Sequence, residues 1–172
     1  MSEPSEPDNP KRSTAAPVRR RIFPRIALLF LLAIGGLYMM SFTAKVPAGL
    51  GQQNGKLSEC PGSPNCVSSQ TDSAKHKMEA ISFTGELADA VAKLKSVISS
   101  NCSRARLVEE QDDYLRFEFT SLIFRFVDDV EFVFDDSTQQ IHFRSASRAG
   151  HSDLGANRKR MKKIAASFTS GG

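Results

Sequence analysis

Two cysteines lie close together in the stretch CPGSPNCVSS, which runs from Cys60 to Ser69. Two prolines and a glycine lie between Cys60 and Cys66 and permit a tight loop. Such a loop can bring the two Cα atoms to the separation that a disulfide requires, about 4.4 to 6.8 Å. Outside the cytoplasm such pairs oxidise readily, so the spacing favours a structural disulfide. Two free loop cysteines are the plain alternative. A zinc site is a weaker one, because the other candidate ligands show no finger spacing: Cys102, His76, His142 and His151.

Charged side chains alternate with apolar ones in residues 128–134 and 140–148, which favours two strands. If Phe132 and Phe143 face the core, the opposite face carries Asp129, Glu131, His142, Arg144 and Arg148. Glu131 then opposes Arg144 across the ladder. The face is interpreted either as a solvated surface with weak cross-strand ion pairs or as a binding site.

The binding-site interpretation rests on an arginine pair placed beside the start of the last predicted helix. Guanidinium groups and the free N–H groups of a helix N-terminus both suit a phosphate or a carboxylate. Two polar residues in the first turns of that helix would complete the cradle. The predicted ligand-binding residues are Arg144, Arg148, Asn157 and Arg158.

Three carboxylates, Asp128, Asp129 and Glu131, form an alternative acidic site for a divalent metal or for acid–base catalysis by a hydrolase. Neighbouring residues of a strand point to opposite faces, so Asp128 and Asp129 converge only where a bulge bends the chain. The sequence contains no nucleophile elbow, HExxH, Walker loop or GxGxxG. We therefore predict no resident metal or cofactor, assign no catalytic residue, and favour binding over catalysis.

These side chains require a scaffold of alternating strands and two amphipathic helices. Period-2 patterns predict strands near 78–83, 104–110, 113–119, 122–134 and 140–148. Helical spacing predicts one helix after Thr84, its expected N-cap, and another over 154–168 with Ser152 as N-cap. A change of apolar parity places a bulge or turn near 120–121. The pattern indicates an α+β fold: a mainly antiparallel sheet of about five strands with two helices on one face.

The N-terminal part of the 172-residue chain differs from the rest. An uncharged apolar run, 26–44, is long enough to span a membrane, and the weak cleavage sites after it favour an uncleaved anchor. Basic residues before the run place the N-terminus in the cytoplasm. The predicted organisation is a disordered basic segment (1–25), a transmembrane anchor (26–44), a tether with the cysteine loop (45–77) and a globular domain (78–172).

Basic clusters lie before the apolar run and in the last predicted helix, although the net charge is only +4. Nucleic acid is not an expected partner, since the first cluster adjoins a membrane segment and the second is short. The second cluster could instead contact anionic headgroups. Its members are Arg158, Lys159, Arg160, Lys162 and Lys163.

Three separated motifs give the chain a family resemblance: CPGSPNCVSS from Cys60, DDVEF from Asp128, and RSASR from Arg144 with DLGANR from Asp153. In this order they resemble the domain-of-unknown-function family numbered 1499, found in bacteria and photosynthetic eukaryotes, over about residues 60–164. The resemblance implies no settled activity. Membrane-attached members are common in the family, which fits the apolar run.

The sequence thus predicts a single-pass protein of the inner (plasma) membrane with a periplasmic α+β domain. We expect a non-enzymatic binding or accessory module for an anionic ligand, with membrane lipid, a small anionic ligand or an envelope protein as partner. The alternatives are a hydrolase that uses the acidic group and a purely structural envelope protein.

Overall fold

The computed structural model describes residues 22–170, so most of the predicted disordered segment lies outside the described residues. Within the described residues, two compact units are distinguished, which divide the chain between Gly36 and Leu37. In chain order the elements are α1 (Ile22–Thr43), β1 (Gln52–Gln53), β2 (Lys56–Leu57), β3 (Cys66–Ser68), β4 (Ile81–Ser82), α2 (Leu87–Asn101), β5 (Ala105–Gln111), β6 (Tyr114–Thr120), β7 (Val127–Asp135), β8 (Gln140–Ser147) and α3 (Ala156–Ser170).

Helix α1 contains the predicted span. Within the described part of the chain, one helical segment is long and apolar enough to cross a membrane, Phe23–Thr43. At 1.5 Å per residue its 21 residues cover about 31 Å, the thickness of a hydrocarbon core. Such a helix near the N-terminus is typical of a membrane anchor or of a signal sequence.

The main sheet has six strands in the order β3-β8-β7-β6-β5, and β4 also pairs with β8. Each of these pairs is antiparallel, which confirms the predicted α+β class. Strand β3 is the addition to the five predicted strands, and with three residues it is too short to show alternation. It lies within 45–77, where no regular structure was expected, as does the β1–β2 hairpin.

Both α2 and α3 contribute to one hydrophobic core, which confirms their predicted position on one face of the sheet. Leu94 and Ile98 of α2 and Ile164 of α3 are fully or almost fully buried against strand residues such as Phe132 and Phe143. Each such side chain stabilises the fold by about 1.5–3 kcal/mol relative to an exposed one. This packing fixes which strand residues face the helices and which face away.

Both helix N-termini differ from the expectation. Helix α2 has Glu86 as N-cap, without a side-chain cap bond, so the assignment of Thr84 was wrong. Helix α3 begins at Ala156 instead of near Leu154, because Leu154 has a positive φ of 53° and cannot continue a helix. Asp153 caps this helix instead of Ser152: its carboxylate accepts hydrogen bonds from the N–H groups of Gly155 (2.9 Å) and Asn157 (2.7 Å).

The predicted parity change coincides with the end of a strand. Strand β6 ends at Thr120 and β7 begins at Val127, so the residues between them form a loop and not the start of a strand. Two hydrogen bonds close this loop: Ser121 N–H donates to the Phe126 carbonyl (2.8 Å), and Phe126 N–H donates to the Ser121 hydroxyl (2.9 Å). We call residues 122–126 the tip loop.

Candidate functional site

The charged residues expected on one face of the sheet do lie there, on the face away from α2 and α3. In the β7–β8 register Glu131 stands opposite Arg144, as predicted, and Val133 stands opposite His142. Asp129 lies on the same face, since it is two residues from Glu131 along β7. Most of these side chains are not a solvated surface: Asp129 and Glu131 are 1% and 0% exposed, and Arg144 is 7% exposed.

Glu131 is the centre of a buried hydrogen-bond network. Its carboxylate accepts bonds from Arg144 Nη1 (3.1 Å), from the Tyr114 hydroxyl (3.1 Å) and from the N–H of Gly51 (2.7 Å), just before β1. Burial raises the pKa of Tyr114, and the charge and hydrogen bond of Glu131 raise it further. The chain around β1 thus covers this face through Glu131, which explains how a charged face is buried.

Arg148 is held by two carboxylates. Its Nε and Nη2 donate to the two oxygens of Asp129, each at 2.7 Å, and Nη2 also donates to Glu118 at 2.5 Å. Hydrogen bonding to Asp129 raises the pKa of Arg148 more than burial lowers it. Burial raises the pKa of Glu118, but the hydrogen bonds and charges of Arg148 and Arg106 bring it below its ordinary value. This arrangement is a structural ion-pair network.

A second polar cluster lies on the helix side of the sheet. Arg160 on α3 donates to Asp128 (2.5 Å) and to the side-chain oxygen of Asn157 (2.6 Å), and its guanidinium lies 4.6 Å from the ring centre of Phe119. Asn157 is fully buried, and its NH₂ group donates to the Asn65 carbonyl (3.0 Å). The cluster ties α3 to the sheet and to the loop before β3. The sequence pattern places Arg160 only among the basic residues of the last helix, whereas in the structure it is a central donor of this cluster.

The structure does not bring the four predicted ligand-binding residues together. Arg144 and Arg148 lie on the sheet face away from the helices, whereas Asn157 contacts Ser145 and Ser147 on the helix side. Arg158 donates to two main-chain carbonyls in the loop before β4: Lys75 (2.7 Å) and Lys77 (3.0 Å). A ligand-binding role for any of the four stays a prediction.

The three carboxylates of the alternative acidic site also separate. Asp128 binds Arg160 on the helix side, whereas Asp129 and Glu131 bind arginines on the opposite face. Among residues 22–170 no group of three or more His, Cys, Asp or Glu side chains is arranged to hold a metal ion. A catalytic role of these carboxylates stays a prediction.

The structure contains the predicted disulfide between Cys60 and Cys66, with their Cα atoms 5.7 Å apart. Cys66 opens β3 and is buried, and its carbonyl accepts a hydrogen bond from Nδ1 of the buried His76 (2.9 Å). The third cysteine, Cys102, is free, and burial raises its pKa although the charges of Lys163 and Arg160 oppose this. The disulfide therefore fixes the loop that carries Asn65 into the helix-side cluster.

Residues 37–43 of α1 contact the tip loop. The Tyr38 hydroxyl donates to the main-chain carbonyl of Ile123 (2.8 Å), and the Ser41 hydroxyl donates to that of Arg125 (2.7 Å). The Tyr38 ring lies edge-on to Phe124, with 6.1 Å between ring centres. Ser41 is only 9% exposed. The C-terminal turns of the apolar helix therefore pack on the folded domain.

A cavity of about 250 Å³ lies beside this contact. Leu37, Met40 and Phe126 contribute apolar walls, and Asp128 and Ser147 contribute polar ones. The wall is completed by Ser121 and by five residues around the start of α3: Ala149, Gly150, Ser152, Asp153 and Ala156. The end of α1, the tip loop and the start of α3 consequently lie at the same end of the domain.

Sequence reasoning missed this end of the molecule. Tyr38 and Ile123 are 85 residues apart, so no spacing rule connects them. The loop sequence does carry a signal for this surface. In the stretch SLIFRF from Ser121, apolar residues occur at the point where the strand pattern breaks. Apolar residues in a loop with no core position are unusual and often mark an interaction surface.

The comparisons with known proteins give one match. The family model described as "Protein of unknown function (DUF1499)" matches residues 56–168, which is more than half of the chain. A search of the curated proteins found no match.

Proposed function

Because the chain belongs to the DUF1499 family of proteins of unknown function, its role has to be argued from its own geometry, and we propose that it is a single-pass protein of the plasma membrane. Its α+β domain would lie on the outer surface of that membrane, with the N-terminus in the cytoplasm. The domain would bind an anionic ligand of this surface, a lipid headgroup in the first place, and would act without catalysis.

The contact between the end of α1 and the tip loop carries this proposal. Tyr38 and Ser41 satisfy two main-chain carbonyls of the tip loop, those of Ile123 and Arg125. Removal of α1 as a signal sequence would uncover this surface and leave the loop without these partners. A helix that is part of the domain's own packing is better explained as a retained anchor.

Two other observations support the proposed orientation of the chain in the membrane and the proposed compartment of its α+β domain. The basic residues before α1 outnumber those directly after it, and such a bias retains the basic side in the cytoplasm. The Cys60–Cys66 disulfide fits an oxidising compartment on the other side. Both observations favour a domain outside the cytoplasm.

Exposed cations surround the end of the domain that adjoins α1. Lys45 follows α1 by two residues, Arg125 lies in the tip loop, and Arg104 donates through Nε to the carbonyl of Thr120 at the end of β6 (3.1 Å). All three are exposed. Each basic residue near an anionic membrane surface contributes about 1 kcal/mol of attraction. We therefore assign the principal headgroup contacts to these residues.

Among the four residues predicted from sequence, Arg144 retains the best case for a ligand contact. Its Nε is buried and makes no hydrogen bond within the described part of the chain, although Nη1 is bound to Glu131. A small anion that reached this face of the sheet would find a free donor. Arg148 and Arg158 would have to exchange internal partners for a ligand, which makes them weaker candidates.

Native mass spectrometry of the full chain tests the proposal. The protein is extracted into detergent and equilibrated with equal amounts of phosphatidylglycerol and phosphatidylcholine. We expect adducts of the anionic lipid to predominate, and replacement of Lys45, Arg104 and Arg125 by Gln to remove that preference. A control with three exposed lysines outside both basic clusters, Lys56, Lys75 and Lys77, changed to Gln should keep it. Equal retention of both lipids by the unmodified protein would refute the headgroup proposal.

A further inference from the structure

Large apolar side chains that are strongly exposed occur at one end of the domain. Among the described residues after α1 they are Val46 (54% exposed), Leu122 (70%), Ile123 (64%) and Leu154 (89%). Isolated exposed apolar residues are common on soluble proteins, but a group confined to one end of a domain indicates an interaction surface. Elsewhere in residues 47–170 no large apolar side chain is strongly exposed.

The fold explains why the four residues share one end. Val46 follows the last residue of α1 by three positions. Leu122 and Ile123 belong to the tip loop, whose backbone is bound to Tyr38 and Ser41. Leu154 directly follows Asp153, which lines the same cavity as Leu37 and Phe126. We call these four residues the apolar end.

The tip loop is held in place by its own bonds and by α1. Ser121 and Phe126 close its base with two hydrogen bonds, and the rings of Phe124 and Phe126 pack at 5.8 Å between centres. Arg125 adopts a positive φ of 55°, which a non-glycine residue accepts only where surrounding contacts fix it. The exposure of Leu122 and Ile123 is therefore a property of an ordered loop.

The contacts with α1 indicate at which level of this helix the tip loop lies. Tyr38 precedes the last residue of α1, Thr43, by five positions, or about 7.5 Å along the helix axis. The tip loop lies beside the last two turns of α1, because the carbonyl of Ile123 accepts the Tyr38 hydrogen bond and the carbonyl of Arg125 accepts the Ser41 hydrogen bond. Leu122 and Ile123 are thus level with the outer turns of the span.

From this relationship we propose that the apolar end inserts into the outer leaflet of the phospholipid bilayer that α1 crosses. Leu122 and Ile123 enter below the headgroups, with Val46 and Leu154 beside them, while Arg104 and Arg125 meet the phosphates. The inference rests on the proposed function, because it requires a retained α1. It adds a second attachment, which fixes the orientation of the domain on the membrane instead of leaving it on a free tether.

Tryptophan fluorescence in vesicles tests the insertion, since the chain contains no tryptophan. Full-length Ile123→Trp is reconstituted into phosphatidylcholine–phosphatidylglycerol vesicles whose lipids are brominated near the top of the acyl chains. We expect strong quenching and a blue-shifted emission. The control is Asp112→Trp, at an exposed residue in the turn between β5 and β6 at the other end of β6, and it should show neither effect.

A further variant connects the signal to the apolar end: Leu122→Ser in the Ile123→Trp background is expected to reduce the quenching. Unquenched emission from the Ile123→Trp protein, in a preparation whose intact mass includes α1, would overturn insertion and leave the proposed function standing. Such a result would point to a protein partner for the apolar end. Quenched emission from the same variant without any preference for phosphatidylglycerol adducts would support insertion and remove the headgroup proposal.

Discussion

Glu131 and Arg144 stand opposite each other on β7 and β8, and the arginine Nη1 donates a 3.1 Å hydrogen bond to a carboxylate that is fully buried. Tyr114 of β6 and Gly51, which directly precedes the β1–β2 hairpin, donate to the same carboxylate. The Glu131 carboxylate therefore connects the main sheet to this hairpin. The pair lies on the face that sequence reasoning interpreted as a possible ligand site. In the structure it holds together the part of the fold that the helices do not cover.

We expect Arg144→Met to destabilise the fold by about 3–5 kcal/mol, because it leaves the buried charge of Glu131 without its cation. Urea unfolding of the full chain in detergent measures this loss. The matched control is Arg106→Met, whose side chain is 72% exposed beside Glu118 and whose loss should cost about 1 kcal/mol or less. The double variant Glu131→Gln/Arg144→Met should be more stable than Arg144→Met alone. Equal or lower stability of the double variant would contradict a buried charge as the cause.

Stability should decline in acid because of Glu118. Burial alone would raise the pKa of Glu118, but the hydrogen bonds and charges of Arg148 and Arg106 hold its folded-state pKa below the ordinary value of 4.5. The contribution of this group is therefore complete above pH 4.5 and is lost as pH falls through the lower folded-state pKa. Unfolding free energies measured at several pH values should decrease in this range, with a shallower slope in Glu118→Gln. The same slope in both proteins would exclude Glu118 as a source of the acid sensitivity.

The Cys60–Cys66 disulfide should stabilise the domain by roughly 2 kcal/mol, the value that chain entropy gives for a loop with a sequence separation of 6. Cys66→Ser with Cys60→Ser should lower the unfolding free energy by about this amount. Cys102→Ser is the control, because Cys102 is already free. Alkylation without reductant, on protein from its native membrane, tests the disulfide itself. Cys60 and Cys66 should not be alkylated, whereas free alkylation of both would show that the disulfide is absent.

The contact between α1 and the tip loop should protect the loop from proteases. Ser41→Ala removes the hydrogen bond to the carbonyl of Arg125, an exposed trypsin site, so we expect faster cleavage after Arg125. Mass spectrometry of the fragments measures this rate in detergent. Thr43→Ala is the control, because the Thr43 hydroxyl bonds only to carbonyls of its own helix, those of Met39 and Met40. Equal cleavage in Ser41→Ala and the unmodified protein would mean that the contact does not order the loop.

Sequence reasoning found the relationships that strand periodicity determines. Alternation in β7 and β8 and a short turn between them were enough to place Glu131 opposite Arg144. It could not find the bond from Arg160 to Asp128, since the rotation and position of α3 over the sheet follow from packing of the whole core. Sequence reasoning also could not predict that the charged face is buried. The burial depends on the segment around Gly51, which has no periodic pattern of its own.

The most direct test of the account is the intact mass of the protein in the membrane fraction of its own cells. A retained anchor predicts a mass that includes Phe23–Thr43, with the protein resistant to alkaline carbonate extraction. A chain that begins after Thr43 and is recovered in the soluble fraction would contradict the account, because Tyr38 and Ser41 would no longer be present to hold the tip loop.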